Sequence, residues 1–281
     1  MYVDSHQHFW KLSRGDYSWM TPDMKKLYKD FFPSDLEPLI KEKNISKTII
    51  VQAADTVAET EFTLKLAEEN EFVAGVVGWV DLENPKTKET IDKLCESKFF
   101  KGVRPMIHDI ENDEWMLKDN LNENINYLAT KNLTFDALVR PQHLKHLIKF
   151  VQKFDFLPIV IDHIAKPKIL NSEIDEWKKD MQALSSYQNV FCKFSGVLTE
   201  VGADYTKTQI QPYIDFILNL FSPNKIMWGS DWPVLTMAEK YSNWFDLAMD
   251  CCNNFSESEK NMIFANTAKN FYNIFIISYL M

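Results

Sequence analysis

Tyr2-Val3-Asp4-Ser5-His6-Gln7-His8 opens the chain as an extended run that ends on two histidines two residues apart. Residues i and i+2 of a strand point to one face, so the two imidazoles can meet at one centre. A bare His-x-His also occurs on ordinary exposed strands, and its meaning depends on what the rest of the chain brings to the same place. Seven further short apolar, β-branched runs follow, at residues 48–54, 73–80, 100–106, 133–139, 158–163, 190–195 and 225–231. Amphipathic segments alternate with them, at 59–70, 85–98, 120–131, 141–154, 172–187, 208–221 and 238–253. Ser34-Asp35-Leu36-Glu37 and Ser256-Glu257-Ser258-Glu259 read as capping boxes that start two more helices.

Eight βα repeats in 281 residues predict an α/β protein with one (β/α)8 barrel spanning residues 1–281. An open doubly wound sheet is the alternative. No Gly-x-Gly-x-x-Gly follows any strand and the chain holds only seven glycines, which leaves the dinucleotide and P-loop readings without support. The one irregular spacing is the connection from about residue 9 to 47, which carries Trp10, Tyr17, Trp19, Met20, Tyr28, Phe31 and Phe32. A connection that long reads as a lid or substrate wall, or as a satellite core packed over the barrel rim.

Hydrophobic residues at 46% and charged residues at 25% describe a globular chain with a substantial core rather than a disordered one. A formal net charge of -9 argues against a nucleic-acid partner, which needs clustered Lys and Arg. No stretch reaches the ~18–20 apolar residues of a membrane span, and the N-terminus lacks a basic region followed by an apolar run. The four cysteines, Cys95, Cys192, Cys251 and Cys252, form no Cys-x-x-Cys pair, so a reducing cytoplasm is the expected compartment. The apolar end at 271–281 is too short to cross a bilayer and reads as a docked tail or a contact in a homo-oligomer.

Active sites of such barrels sit at the carboxyl ends of the strands. Strand one ends in His6 and His8, strand two in Gln52, strand three in Trp79 and Asp81, and strand four in Arg104. Strand five ends in Arg140 with Asp136 further in, strand six in Asp162-His163, strand seven in Lys193-Phe194-Ser195-Gly196, and strand eight in Trp228-Gly229-Ser230-Asp231-Trp232-Pro233. Three histidines and one aspartate, His6, His8, His163 and Asp231, therefore converge on one rim. Polar groups that end buried strands need partners, and a shared site supplies them. His143 and His146, three apart among Lys145 and Lys149, read as helix-surface residues. His108 follows strand four on a loop from which it can reach the pocket.

His6-x-His8, the Asp162-His163-Ile164-Ala165-Lys166-Pro167 segment, Trp228-Gly229-Ser230-Asp231-Trp232-Pro233 and the closing Asn266-Thr267-Ala268-Lys269-Asn270-Phe271-Tyr272 resemble the amidohydrolase superfamily. The likeness covers nearly the whole chain. His6-Gln7-His8-Phe9-Trp10 followed by Tyr17-Ser18-Trp19 is most similar to its metal-dependent-hydrolase branch rich in sugar lactonases. The resemblance implies a barrel hydrolase that opens the ester bond of a small lactone, such as L-fuconolactone or L-rhamnonolactone. It implies that Asp231 is the general base that activates water, while His6, His8 and His163 hold a divalent metal or polarise the carbonyl directly. Strand four offers Arg104 where the wider superfamily would place a bridging group, and strand five supplies no histidine, so a two-metal centre is not expected.

Three His and one Asp suit a single Zn²⁺ with an open position for water, and a metal-independent mechanism uses the same four groups. Arg104, Gln52 and Lys193 can hydrogen-bond hydroxyl or carboxylate oxygens, and Trp10, Trp79, Trp228 and Trp232 can stack on the apolar face of a sugar ring. Tryptophans also fill barrel cores; Trp10 stands apart because it follows the histidine pair at the mouth. Two other classes fit the same scaffold, a nonoxidative decarboxylase of a small aromatic or unsaturated acid and an inactive small-molecule-binding barrel.

Overall fold

In the computed structural model, which describes residues 1–274, eight parallel strands lie in sequence order and close into a (β/α)8 barrel. They are β1 (Tyr2–Gln7), β2 (Ile45–Val51), β3 (Val73–Gly78), β4 (Phe100–Val103), β5 (Thr134–Ala137), β6 (Ile159–Ile161), β7 (Val190–Phe194) and β8 (Ile226–Trp228). Closure comes from the chain just past β8. Asp231 N–H donates to the His6 carbonyl at 2.8 Å and His8 N–H to the Trp232 carbonyl at 2.7 Å, which joins the last strand to the first. The open-sheet alternative is thereby set aside. The observed strands are shorter than the sequence runs at their carboxyl ends because the chain leaves the ladder there to build the site.

Eight helices follow the strands: α1 (Pro33–Glu42), α2 (Val57–Glu69), α3 (Thr87–Leu94), α4 (Asn122–Thr130), α5 (Leu144–Lys153), α6 (Asp175–Ser185), α7 (Lys207–Leu220) and α8 (Tyr241–Cys251). Local chemistry starts several of them. Thr56 accepts from Glu59 N–H at the head of α2, and a Thr206/Gln209 capping box opens α7. Ser256 and Glu259 cap a short α9 (Glu257–Asn261) reciprocally, as the sequence reads. The first box differs: α1 starts at Pro33, and Asp35 rather than Glu37 reaches back, to the N–H of Phe32 at 2.8 Å. Pro33 suits the first helical position, where no N–H is needed, and that moves the start two residues earlier.

Val3, Ile49, Val51, Val77, Val160 and Met227 pack inside the barrel, together with Ala268, Phe271 and Tyr272 of the C-terminal segment that includes α10 (Thr267–Phe271). The remainder of that apolar end, residues 275–281, lies outside the described residues. A second, larger core fills the layer between strands and helices. No helix among the described residues is long and apolar enough to cross a membrane. The 9–47 connection is pinned to the barrel rim: Trp10 and Phe31 pair through backbone hydrogen bonds at 3.0 and 2.9 Å, and Trp19 donates from Nε1 to the Ala53 carbonyl at 2.7 Å.

Candidate active site

β1 pairs with β2 in a shifted register between Asp4 and Gln7. Val3 faces the barrel interior, and past the irregularity both His6 and His8 do so, their ring centroids 4.9 Å apart. Asp4 holds this distortion. Its carboxylate accepts from His6 N–H at 3.1 Å, Ser230 N–H at 2.9 Å and the Tyr241 hydroxyl at 2.9 Å, tying β1 to the segment that carries Asp231. Gly229 is needed at the same seam, because a Cβ there would stand 2.7 Å from the Cβ of His6.

His163 arrives by an unusual route. After β6 the chain enters four consecutive left-handed residues, His163 (φ 53°), Ile164 (47°), Ala165 (64°) and Lys166 (47°), closed by Lys166 N–H donating to the His163 carbonyl at 2.8 Å. Such a turn costs about 1–2 kcal/mol per residue without glycine. It directs His163 and Lys166, three residues apart, to the same cavity.

The four groups singled out in the sequence come together. His8 Nε2 lies 3.2 Å from Asp231 Oδ1, His6 Nε2 3.7 Å and His163 Nε2 3.8 Å. Burial lowers the His6 imidazole well below its usual range, helped by Lys193, and burial likewise lowers His163, so both are neutral near pH 7. Burial would raise the Asp231 carboxyl, but His163 and His8 outweigh it and hold it below the usual value. The centre thus has an ionised carboxylate surrounded by imidazoles.

This donor set fits a divalent ion. His8 Nδ1 donates to the Val51 carbonyl at 2.8 Å, which leaves Nε2 as a lone pair facing the Asp231 carboxylate. Two acceptors 3.2 Å apart call for a positive centre between or beside them, a metal ion or a proton. Ligand atoms of His6, His163 and Asp231 all lie within 4.8 Å of one another.

Above the centre opens a cavity of about 270 Å³. His8, His163, Asp231 and Arg104 form its floor and wall; His108, Asp109 and Lys166 supply further polar groups, and Trp19, Met24, Met106, Leu138 and Val234 an apolar side. His108 does reach the cavity, its Nε2 paired with Asp109 at 2.9 Å. Lys166 is paired with Glu200 at 2.5 Å.

Several expected substrate contacts lie elsewhere. Trp10 is fully buried against Tyr17, Trp19 and Phe31, with Nε1 donating to the Lys29 carbonyl; the loop folds it inward and puts Trp19 on the cavity instead. Trp228 faces away from the barrel, packed on Tyr241, Phe245 and Phe264, because the register at β8 turns it outward. Trp79 does not line the cavity, and its backbone N–H and carbonyl are both tied to the Thr60 hydroxyl. Trp232 packs on Phe9 and Phe31.

Gln52 and Lys193 are also buried away from the cavity. Gln52 donates to the Arg104 carbonyl at 2.7 Å, while Arg104 Nη2 donates to the Gln52 carbonyl, so the pair sets the position of the arginine. Lys193 sits below His6 between Asp136 and Asp162. His143 and His146 are buried rather than on the surface. His143 accepts from Arg140 N–H at the start of α5, and the two rings face Asp113 and Glu114. The sequence signal for Trp19 and Lys166 was present in the quoted motifs, but nothing in their spacing told which side chains face the pocket.

The Amidohydrolase family matches residues 3–274 of this chain. An L-fucono-1,5-lactonase of Burkholderia ambifaria is 36% identical over 97% of this chain and 95% of that protein. An L-fucono-1,5-lactonase of Burkholderia multivorans is 30% identical over 96% of this chain and 95% of that protein. The crystal structure of an amidohydrolase from Burkholderia multivorans with bound zinc superposes with a TM-score of 0.92, at 29% identity, covering 98% of this chain and 99% of that one.

Proposed function

The chain belongs to the amidohydrolase family over nearly its whole length, and on that premise we propose that it hydrolyses the ester bond of a small sugar lactone. The activity named for its two Burkholderia relatives makes L-fuconolactone the first substrate to test, with L-rhamnonolactone beside it. The observation that carries the reading is the Asp231 carboxylate at the cavity floor, kept ionised and ringed by three imidazoles at 3.2–3.8 Å. The cavity matches the substrate class. Arg104, His108 and Lys166 meet hydroxyl and carbonyl oxygens on one side, and Trp19, Met24 and Val234, two of them from the 9–47 connection, form the apolar wall on the other.

Asp231 takes a proton from water as its oxygen adds to the lactone carbonyl carbon. The oxyanion that develops is met by the Arg104 guanidinium in the wall and, where no metal ion takes its Nε2, by His163. Collapse breaks the bond to the ring oxygen, and the proton on Asp231 passes to the departing alkoxide, which restores the carboxylate and leaves the open hydroxy acid. A divalent ion, zinc by the type of its donors, held by His6, His8, His163 and Asp231, would act as a Lewis acid on the carbonyl and lower the proton affinity of the attacking water. The bound zinc of the Burkholderia multivorans amidohydrolase supports that assignment.

A panel of sugar lactones followed by acid release, with and without chelator and paired with metal analysis, tests the reading. Opening of a deoxy-sugar lactone is the expected result. Release of carbon dioxide from a small carboxylic acid, with every lactone left intact, would establish the decarboxylase instead.

A further inference from the structure

Lys193 is wholly buried beneath the cavity, and its Nζ meets three acceptors: Asp136 Oδ2 at 2.5 Å, Asp162 Oδ1 at 3.0 Å and His6 Nδ1 at 3.1 Å. An ammonium has three N–H groups and no lone pair, so His6 Nδ1 must accept. The other nitrogen of the ring agrees. Nε2 of His8, an acceptor when that ring is neutral because Nδ1 donates to the Val51 carbonyl, lies 3.2 Å from His6 Nε2, and Asp231 Oδ1, a second acceptor, lies 3.7 Å away. Two groups pull the other way at longer range. Asp162 Oδ1, an acceptor, is 3.6 Å from Nδ1, and Arg104 Nη1, a donor, is 3.5 Å from Nε2. Each has a nearer charged partner: Asp162 Oδ1 stands in an ion pair with Lys193 at 3.0 Å, though without a hydrogen bond, and Arg104 Nη1 has Asp162 Oδ2 at 3.3 Å. The closest group on each ring nitrogen therefore requires the proton on Nε2.

We propose that Lys193 is a positioning residue that holds His6 in its Nε2–H form, so that this proton occupies the space between His6, His8 and Asp231 that a divalent ion would need. For an ion to enter, the proton must leave Nε2 and one must be taken up at Nδ1, where Asp162 Oδ1 accepts it and Lys193 gives up its contact with the ring. Lys193 thereby sets proton against metal at the centre and weakens divalent-ion binding without touching substrate. The inference rests on the same four-group centre as the lactone reading but is read without substrate, so the two can fail separately.

A two-bond ¹H–¹⁵N correlation spectrum of the metal-free, ¹⁵N-histidine-labelled wild-type protein tests it, with the His6 signals identified by their loss in His6→Gln. A neutral ring protonated at Nε2 is expected; a ring protonated at Nδ1, or at both nitrogens, overturns the proposal. The double variant Asp136→Asn/Lys193→Met removes one buried charge of each sign and leaves Arg104 and Asp162 paired. His6 Nδ1 is then free to donate to Asp162, and zinc affinity, measured by competition with a chromophoric chelator, should rise about 10–100-fold, the usual size of an outer-shell effect. Zinc binding that is unchanged or weaker in the folded double variant also overturns it, and if that variant does not fold the wild-type spectrum decides.

Discussion

Replacing Gly196 by alanine should damage the site and the fold together, through a single contact. Gly196 follows β7 at φ +62°, and a Cβ there would stand 2.5 Å from His163 Nδ1 and 2.6 Å from its Cγ. Ordinary contact begins near 3.4 Å, so ring or backbone must yield by about 0.9 Å. Little can yield, since the residues that follow His163, Ile164 and Ala165, are fully buried. Displacing the ring breaks the 2.9 Å contact of His163 Nδ1 with the Ser195 hydroxyl and moves Nε2 away from Asp231. A misplacement of ~1 Å costs about 100-fold in rate.

The left-handed backbone adds about 1–2 kcal/mol and the overlap about 1–3 kcal/mol. At ~2–4 °C per kcal/mol for a chain somewhat under this length, Tm should fall by about 4–20 °C. Gly202→Ala is the matched comparison: its φ is +95°, and nothing lies within 4 Å of the added Cβ. That variant should show the backbone cost alone, with kcat/KM on the lactone unchanged. Thermal unfolding and kcat/KM measured side by side would refute the reasoning if Gly196→Ala lost no more stability than Gly202→Ala and kept its activity.

Asp231→Asn should lower kcat by ~10²–10⁴ with the fold intact, the usual worth of a general base; retained turnover would remove Asp231 from that role. Burial pushes the Glu59 carboxyl from 4.5 up to about 8, so the stability available with a protonated Glu59 is complete below pH 4.5 and is lost as pH rises through 8. Glu59→Gln should flatten that fall, gaining on the order of 3–5 kcal/mol over wild type between pH 4.5 and 9 in urea unfolding; a difference that does not vary with pH would contradict this. Trp10→Ala should destabilise by ~3–5 kcal/mol at unchanged KM. Trp19→Ala should raise KM about tenfold, one aromatic contact of ~1.5 kcal/mol. Reversed effects for the two tryptophans would put Trp10, not Trp19, on the substrate.

The barrel is legible in the sequence because each strand is a short buried run that reports itself by composition alone, and because eight such runs leave few ways to be covered by helices. The meeting of His6, His8, His163 and Asp231 follows from the same pattern, since strand ends in a closed barrel share one rim. What stays hidden is which way each side chain turns once it leaves the ladder. Trp228 and Met227 are neighbours of similar hydrophobicity, yet one packs under helices and the other inside the barrel. Lys193 ends a strand as a rim residue would, but it points down, because Asp136 and Asp162 together offer it more than solvent does. Direction of this kind depends on register between strands distant in sequence, and no local window contains it.

The turn after β6 shows why local rules fail most at the site itself. Asp162-His163-Ile164-Ala165-Lys166 holds no glycine, and its β-branched Ile164 is among the residues least suited to positive φ. Four left-handed residues carry a penalty of several kcal/mol, at about 1–2 kcal/mol each, so the surroundings must over-determine the conformation. They do so from three sides. Trp177 Nε1 donates to the Ile164 carbonyl at 2.8 Å, Ile164 and Ala165 are sealed from solvent, and Lys166 is fastened to Glu200. A right-handed turn would relieve the strain, but its opposite hand would aim the side chains differently and take His163 from Asp231 and Lys166 from the cavity. The strain is retained where it places two side chains on the cavity, which is also where propensity has least to say.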